Sequence, residues 1–170
     1  SDLLKERKIP THILDSEILL SKILKKSREE ILVNLYKKID KKKFLVFERY
    51  LLRRAQNEPI AYILKEKEFW SKKFTVTKDT LIPRPETELL VEKLLKIFNG
   101  KELSILDIGT GSGCIIISLL SVLDKSYGIG VDISKKAIFI ANKNRKKHSL
   151  FRRLSFLHKS FEPNQLFDDT

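Results

Sequence analysis

The stretch Ile105–Gly113, with the sequence ILDIGTGSG, constrains the fold more than any other part of this chain. Its glycines stand at alternate positions, directly after one apolar run and directly before another. Glycines in that arrangement permit a sharp turn and let a ligand approach the backbone closely. The backbone amides that open the next helix are free to donate to such a ligand. The stretch therefore predicts a buried strand, a ligand-binding loop and a helix, in that order.

The glycine spacing distinguishes this loop from the loops that bind dinucleotides. Those loops use G-x-G-x-x-G and direct their amides at a pyrophosphate, whereas Gly109, Gly111 and Gly113 follow G-x-G-x-G. Asp107 precedes the first glycine closely, and its negative charge would repel a pyrophosphate. A ligand with an ammonium and a sulfonium group suits that carboxylate, so the spacing disfavours a nicotinamide-dependent dehydrogenase.

Strand-like and helix-like segments alternate from residue 104 onward. The predicted strands cover 104–108, 127–133 and 154–157; the predicted helices cover 114–123 and a segment from the cap Ser134 to about Lys147. Such alternation is typical of an α/β fold with right-handed crossovers, a parallel sheet and helices on both of its faces.

A second acid, Asp132, ends the second predicted strand. Ligands of open parallel sheets bind at the carboxyl ends of the strands, and an acid there can accept hydrogen bonds from both hydroxyls of a ribose. Asp107 and Asp132 could instead do no more than cap turns. Their placement at the ends of successive parallel strands, around one glycine loop, favours a binding site.

Residues 1–62 are predicted to form a small helical bundle. Ser27 and Glu30 match a capping box, and Asp40 is placed to begin a longer helix that ends before Pro59. The residues expected to face inward are Leu14, Ile18, Leu19, Ile23, Phe44, Phe47, Leu51, Leu52 and Ala55. Short helices with narrow apolar faces are stable only when they pack on one another.

Residues 63–83 are predicted to form a hairpin linker whose tight turn is Ser71-Lys72-Lys73. Pro85 is placed as the first residue of the next helix, which Asn99-Gly100 ends. The residues expected to face inward from that helix are Leu89, Leu90, Leu94, Leu95 and Phe98. Residues 84–170 then make up the third region, an incomplete α/β domain.

The composition bounds the class of protein. With 42% apolar residues the chain is expected to fold, and its lone cysteine, Cys114, is typical of a reducing, cytoplasmic setting. The histidines His12, His148 and His158 share no metal-ligand spacing with it, so no metal is expected. No apolar stretch is long enough to span a bilayer. The chain contains no methionine, which favours a processed or engineered piece, or removal of the first residue.

The net charge of +12 favours acidic partners such as nucleic acid or a surface near ribosomal RNA. A lysine-rich surface that is merely solvated explains the same charge.

Three further segments accompany the glycine loop: NEPIAYI at 57–63, IPRPETE at 82–88 and VDIS at 131–134. Together with the loop they closely resemble the HemK/PrmC family of S-adenosylmethionine-dependent methyltransferases. Members of that family methylate the glutamine side-chain amide in the Gly-Gly-Gln motif of peptide-chain release factors. The resemblance implies a partial Rossmann-like class I methyltransferase sheet, preceded by a small N-terminal helical bundle and a β-hairpin linker.

The resemblance also implies site residues. Asp107 would lie near the amino group of S-adenosyl-L-methionine, Asp132 would bind its ribose, and Ser160 would stand near its adenine. The residues that would cradle its methionine part are Gly109, Thr110, Gly111, Ser112 and Gly113. Those that would line the cleft near the reacting methyl are Arg84, Pro85, Glu86, Thr87 and Glu88. The N-terminal bundle would meet the release factor.

The sequence departs from the family at several positions. Lys65 stands where members usually have glycine, and 158–161 read HKSF where members usually have an aspartate followed by a bulky residue. Cys114 replaces a small residue. A helix N-terminus can activate a thiol, but we expect Cys114 to be a small buried filler.

The family's Asn-Pro-Pro-Tyr motif, whose asparagine side chain and proline carbonyl hold the substrate amide, does not occur in these 170 residues. We therefore expect a truncated chain without a catalytic residue, one that does not transfer the methyl group by itself. The fourth strand would be missing too, which leaves strand 104–108 with an unpaired edge. We accordingly expect aggregation, dimerisation or loose order from Leu150 onward.

Two other functions remain open. A nucleic-acid amino-methyltransferase would use the same loop and the same absent motif; the positive charge is consistent with it, and IPRPETE counts against it. A non-catalytic binding module acting through its basic helices is consistent with the absent motif. The downstream sequence distinguishes these alternatives.

Overall fold

A computed structural model describes residues 1–34 and 38–160 of the chain. The chain divides into two compact units, Ser1–Leu64 and Lys65–Thr170. The first unit contains helices α1 (Asp2–Glu6), α2 (His12–Leu24), α3 (Arg28–Val33), α4 (Lys41–Ala55) and α5 (Ile60–Leu64). The second contains β1 (Glu66–Phe69), β2 (Lys72–Thr75), α6 (Pro85–Phe98), β3 (Ser104–Ile108), α7 (Cys114–Leu120), β4 (Tyr127–Asp132), α8 (Lys135–Lys147) and β5 (Leu154–His158). Phe161, the last residue of the HKSF stretch discussed above, lies outside the described residues.

The first unit is a bundle of short helices. Its buried core consists of Leu4, Ile9, Leu19, Leu51 and Ile63. The expected inward orientation is wrong for three residues, because Leu14, Phe44 and Leu52 are 40%, 46% and 56% exposed. The apolar residues of α4 surround more of the helix than the neighbouring helices cover, so the hydrophobic pattern alone does not select the buried side.

The predicted caps of the bundle are confirmed. The hydroxyl of Ser27 accepts from the Glu30 amide at 3.2 Å, and the Glu30 carboxylate accepts from the Ser27 amide at 2.8 Å. Asp40 begins α4 by accepting from the amides of Lys42 and Lys43. Each of these bonds satisfies an amide that has no partner within its helix.

Replacing Ser27 by alanine should lower the free energy of unfolding by about 1 kcal/mol, because the Glu30 amide loses its acceptor. Urea denaturation measures this change. Ser1→Ala is the matched control, since Ser1 precedes α1 without a side-chain capping bond. A loss in Ser1→Ala as large as that in Ser27→Ala would show that the cap itself contributes nothing.

In the second unit, β1 and β2 pair antiparallel from Glu66↔Thr75 to Phe69↔Lys72. The turn was predicted at Ser71-Lys72-Lys73, and this position is wrong. The residues that form the turn are Trp70 and Ser71, with φ of 51° and 53°. Both φ values are positive, as the two-residue turn that matches the strand twist requires. Neither residue is glycine or asparagine, which is why the sequence misplaces this turn.

Helix α6 begins at Pro85 and ends before Asn99, as predicted. The residue that it buries completely is Val91, which packs with Phe69 and Phe74 in the core of the unit. The expected burial of Leu89 and Leu90 is wrong, because these side chains are 59% and 46% exposed. Leu94 and Leu95 do pack against this core, as expected, so the error is confined to the first turns of the helix.

The main sheet is parallel, with the strand order β3-β4-β5. Leu106 pairs with Ile129 and Ile129 with Ser155, while Asp107 lies beside Gly130. The strands progress in one direction across the sheet, so right-handed crossovers place both connecting helices on the same face. The expectation of helices on both faces is therefore wrong for the described residues. Four apolar side chains on the opposite face, Leu106, Ile108, Ile129 and Leu157, are 43–51% exposed.

The buried core of the second unit lies between this sheet and helices α6, α7 and α8. Helix α7 is buried over almost its whole length, as its apolar sequence predicts. Leu150, Leu154 and Phe156 are also buried in this core. The expected behaviour of the chain in solution, aggregation or loose order from Leu150 onward, stays a prediction.

Candidate functional site

The glycine loop connects β3 to α7 at the carboxyl edge of the sheet. Gly109, Gly111 and Gly113 have φ of +74°, +56° and +78°, which is the left-handed region that glycine enters without a steric cost. The amides of Gly109 and Thr110 both donate to the carbonyl of Val131 on the neighbouring strand, at 2.9 and 3.0 Å. The loop thus folds back over the end of β4 and holds a defined backbone conformation.

The space beside the first glycine is open. A Cβ atom added to Gly109 would meet no heavy atom within 4 Å, and one added to Gly111 would meet just the Gly109 carbonyl oxygen, at 3.9 Å. A Cβ atom on Gly113 would instead lie 2.7 Å from the buried ring of Phe156. The loop is therefore anchored to the core at its helix end and leaves room for a ligand at its strand end.

Asp107, near the end of β3, forms a hydrogen bond with the glycine loop. Its carboxylate accepts from the Thr110 hydroxyl at 2.7 Å. Burial raises the pKa of this carboxyl above its usual value; the Thr110 hydrogen bond opposes the shift, and the negative charge of Asp132 adds to it. A positively charged ligand group beside Asp107 would relieve both unfavourable contributions.

Asp132, the last residue of β4, holds two backbone segments at once. One carboxylate oxygen accepts from the Gly111 amide and the other from the Ser134 amide, each at 2.8 Å. Ser134 in turn caps α8 by accepting from the Ala137 amide at 3.2 Å. Each carboxylate oxygen has a further lone pair, so Asp132 retains the capacity to accept from ligand hydroxyls.

Residues that follow β5 come to the same edge of the sheet. The Lys159 amide donates to the Asp132 carbonyl at 3.1 Å, and the His158 ring nitrogen Nε2 lies 3.0 Å from the Ile133 carbonyl oxygen. Ser160 follows directly and is exposed. The structure therefore brings the neighbours of Ser160 to Asp132, and a role of Ser160 near the adenine stays a prediction.

Within the described part of the chain, the hydrogen bonds of segment 84–88 join it to its own backbone and to the hairpin turn, and not to the glycine loop. Arg84 precedes α6 with an extended backbone, and Arg84, Pro85 and Glu86 are exposed. Thr87 is half-buried, and its amide donates to the Arg84 carbonyl at 3.0 Å. The Glu88 carboxylate accepts from the Trp70 amide at 2.9 Å. Among the described residues, these hydrogen bonds tie the segment to itself and to the hairpin turn, so its role at a substrate cleft stays a prediction.

Cys114, the first residue of α7, is buried. Burial raises the pKa of its thiol to about 11, and hydrogen bonding from Ser112 opposes the shift only in part. The thiolate fraction at neutral pH is therefore negligible. This environment fits the small buried filler expected from the sequence, and not an activated nucleophile.

Sequence reasoning missed one residue that contacts the loop, Asn144. It is fully buried on α8, where it shares a face with Ala137, Ile140 and Ala141, and its side chain donates to the Ser112 carbonyl at 2.8 Å. The available signal was its position: a polar residue stands where the helical period requires an apolar one.

Within 1–34 and 38–160, no helix is long and apolar enough to cross a membrane. In the same part of the chain, histidine, cysteine, aspartate and glutamate side chains form no group of three that could hold a metal ion.

Comparison with known families matches both units. Residues 1–64 match the family described as PrmC N-terminal domain, and residues 99–169 match the family described as methyltransferase domain. The parallel sheet, its helices and the glycine loop agree with that match, so the class is an α/β methyltransferase domain. Within that class the chain is similar to release factor glutamine methyltransferases.

Individual relatives show how far this similarity extends. A release factor glutamine methyltransferase of Buchnera aphidicola subsp. Schizaphis graminum is 44% identical over 147 residues, covering 86% of this chain and 53% of the relative. One of Leptospira interrogans is 42% identical over 146 residues, with coverage of 84% and 51%. A bifunctional methyltransferase of Rickettsia conorii is 36% identical over 196 residues, with coverage of 99% and 37%. The chain thus spans about half the length, or less, of these relatives.

Solved structures are similar over a smaller part of the chain. A SAM dependent methyltransferase from Aquifex aeolicus is 28% identical, with coverage of 41% of this chain and 38% of that chain and a TM-score of 0.36. The N-terminal domain of human METTL16 in complex with SAH is 20% identical, with coverage of 57% and 41% and a TM-score of 0.43.

Proposed function

We propose that residues 107–113 together with Asp132 bind S-adenosyl-L-methionine, and that the protein is a glutamine N5-methyltransferase whose substrate is the Gly-Gly-Gln motif of peptide-chain release factors. The transfer needs groups that hold the substrate amide, and the 170 residues contain no Asn-Pro-Pro-Tyr motif. We therefore assign the activity to the protein extended to the length of its relatives, and cofactor binding to the chain described above.

The observation that carries the proposal is the pair of carboxylates at the loop. Asp107 and Asp132 end neighbouring parallel strands, and each holds a different residue of the same loop, Thr110 and Gly111. Burial and the negative charge of Asp132 both raise the pKa of Asp107, and a cationic ligand would stabilise its ionised form. The open space beside Gly109 supplies the room for that ligand.

The chemical features of S-adenosyl-L-methionine fit these residues. Its ammonium group complements Asp107, and its ribose hydroxyls can donate to the free lone pairs of Asp132. When bound, the cofactor supplies a methyl group on a sulfonium sulfur. The loop amides and the two carboxylates bind and orient it, and in the proposed reaction the glutamine amide nitrogen gains the methyl group and loses a proton.

The choice of substrate is supported by the relatives and by the first unit. The Buchnera and Leptospira relatives are named release factor glutamine methyltransferases, and residues 1–64 match the PrmC N-terminal domain. In our proposal this helical unit contacts the release factor. The positive charge of the chain alone does not favour a nucleic-acid substrate over this one.

The activity is tested with the protein extended to full length by its downstream reading frame. Incubated with S-adenosyl-L-methionine labelled in the methyl group, it should label a release factor and leave a variant with Gly-Gly-Ala in place of Gly-Gly-Gln unlabelled. Mass spectrometry of the modified peptide should place one methyl group on the glutamine. Labelling of ribosomal RNA or DNA, without labelling of the release factor, would contradict the proposed substrate.

The raised pKa of Asp107 predicts how binding depends on pH. The folded protein holds this proton more tightly than the unfolded chain does, so ionisation of Asp107 disfavours folding as the pH rises through its folded pKa. A ligand ammonium favours the ionised form. Affinity for S-adenosylhomocysteine should therefore increase as the pH rises from the acid range to neutrality, with release of a proton on binding.

Asp107→Asn is the control for this pH dependence. The variant should bind more weakly at neutral pH and show a much flatter pH profile, because the titrating group is gone. Calorimetry in two buffers of different ionisation enthalpy measures both the affinity and the proton release. Identical pH profiles for the wild type and the variant would exclude Asp107 as the partner of the ammonium group.

A further inference from the structure

The buried amide of Asn144 connects three parts of the second unit. Its Oδ1 atom accepts from the Thr75 amide at 2.7 Å, and its Nδ2 atom donates to the Thr75 carbonyl at 2.9 Å. The same Nδ2 atom donates to the Ser112 carbonyl at 2.8 Å. Asn144 on α8 therefore bonds at once to the end of strand β2 and to the glycine loop.

The orientation of this side-chain amide is dictated by its partners. The Thr75 N–H is a donor and requires an acceptor, whereas the carbonyls of Thr75 and Ser112 are acceptors and require donors. Asparagine has one acceptor oxygen and two N–H donors, so the observed orientation alone satisfies all three groups. Aspartate has the same shape but would turn an oxygen toward two carbonyl oxygens.

The bond to Ser112 fixes a peptide plane in the loop. In a trans peptide the carbonyl and the following N–H point in opposite directions. The Ser112 carbonyl is held by Asn144, and the Gly113 amide on the other side of that peptide donates to the Thr110 carbonyl at 2.8 Å. The plane is thus fixed at both ends, and with it the direction in which the neighbouring loop amides face.

We propose that Asn144 is a positioning residue for the cofactor loop: it holds the Ser112–Gly113 peptide in the binding conformation and couples the loop to the hairpin at Thr75. The inference rests on the proposed function, since the cofactor is the ligand whose binding it assists. Asp107 and Asp132 hold the loop and also face the ligand. Asn144 is fully buried and acts on the ligand through the loop backbone.

Calorimetry with S-adenosylhomocysteine tests the proposal on the 170-residue chain. Asn144→Ala should weaken binding about tenfold or more, because the unsupported loop spends only part of its time in the binding conformation. Asn142→Ala is the matched control: the half-buried Asn142 side chain donates to the Ile138 carbonyl within α8, and the affinity of this variant should equal that of the wild type. Wild-type affinity in a folded Asn144→Ala protein would overturn the proposal.

A second control separates positioning from general loss of stability. Ile140→Ala removes a buried apolar side chain from the same helix and makes no change in the hydrogen bonds to Ser112 or Thr75. It should lower the melting temperature and leave the affinity within about twofold of the wild type. Equal loss of affinity in Ile140→Ala and Asn144→Ala would also overturn the proposal.

Amide hydrogen exchange on the wild type needs no variant to fold. S-adenosylhomocysteine should slow exchange at Gly113 and also at Thr75, which is linked to the loop through Asn144. Protection at Gly113 with unchanged exchange at Thr75 would contradict the coupling.

If the wild type does not bind S-adenosylhomocysteine, the proposed function fails. The positioning role is then judged without ligand, by faster Gly113 exchange in Asn144→Ala than in Ile140→Ala, and equal rates would overturn it.

Discussion

Replacing Asp132 by alanine is expected to weaken binding of S-adenosylhomocysteine about 100-fold, which corresponds to about 2.7 kcal/mol. Hydrogen bonds to a charged group contribute about 1.5–3 kcal/mol each, and the carboxylate would accept from two ribose hydroxyls. It also holds the Gly111 amide, so its removal loosens the loop. Calorimetric titration of the wild type and the variant measures the difference.

The matched control is Asp124→Ala, which removes an exposed acid from the same unit and should leave the affinity unchanged. Asp132→Asn should fall between the wild type and Asp132→Ala, since one acceptor oxygen remains and the charge is lost. Circular dichroism establishes that each variant is folded. Equal affinities for the wild type and Asp132→Ala would remove Asp132 from the binding site.

Gly113→Ala is expected to lower the free energy of unfolding by about 3–4 kcal/mol, the largest effect on stability that we predict. The new Cβ atom would enter the left-handed region at φ +78° and would lie 2.7 Å from Cζ of Phe156 and 3.2 Å from Cδ1 of Ile117. Phe156 is buried and packed in the core, so its ring cannot move away without disturbing its neighbours.

Gly100→Ala is the control that separates backbone strain from overpacking. Gly100 has a similar φ of +72°, and its added Cβ atom would meet nothing within 4 Å. It should lose about 1 kcal/mol, the cost of the left-handed conformation alone. Urea denaturation measures both variants. Equal losses would show that the contact with Phe156 does not limit the residue at position 113.

The strands of the main sheet and the starts of several helices could be predicted from local sequence. The strands of the main sheet are short apolar runs bounded by turns, and the starts of α3, α4 and α8 have side-chain caps at Ser27, Asp40 and Ser134 that are confirmed. Such signals depend on residues a few positions apart, which the sequence displays directly. The glycine loop could be predicted for the same reason, because its glycines and Asp107 stand within a few positions of one another.

What the sequence did not predict depends on contacts between distant residues. Leu89 and Leu90 are exposed while Val91 is buried, because the neighbouring elements, and not the period of α6, decide which side of the helix is covered. The uncovered face of the sheet follows from the strand order, which no local pattern displays. Asn144 bonds to Thr75, 69 residues away, and therefore carries no local motif.

The measurement that tests the central claim most directly is a calorimetric titration of the 170-residue chain with S-adenosylhomocysteine and, separately, with NAD. The G-x-G-x-G loop and its two carboxylates predict saturable binding of one S-adenosylhomocysteine per chain and no binding of NAD, whose pyrophosphate the acids repel. Binding of NAD, or no binding of S-adenosylhomocysteine by a chain that circular dichroism shows to be folded, would contradict the account.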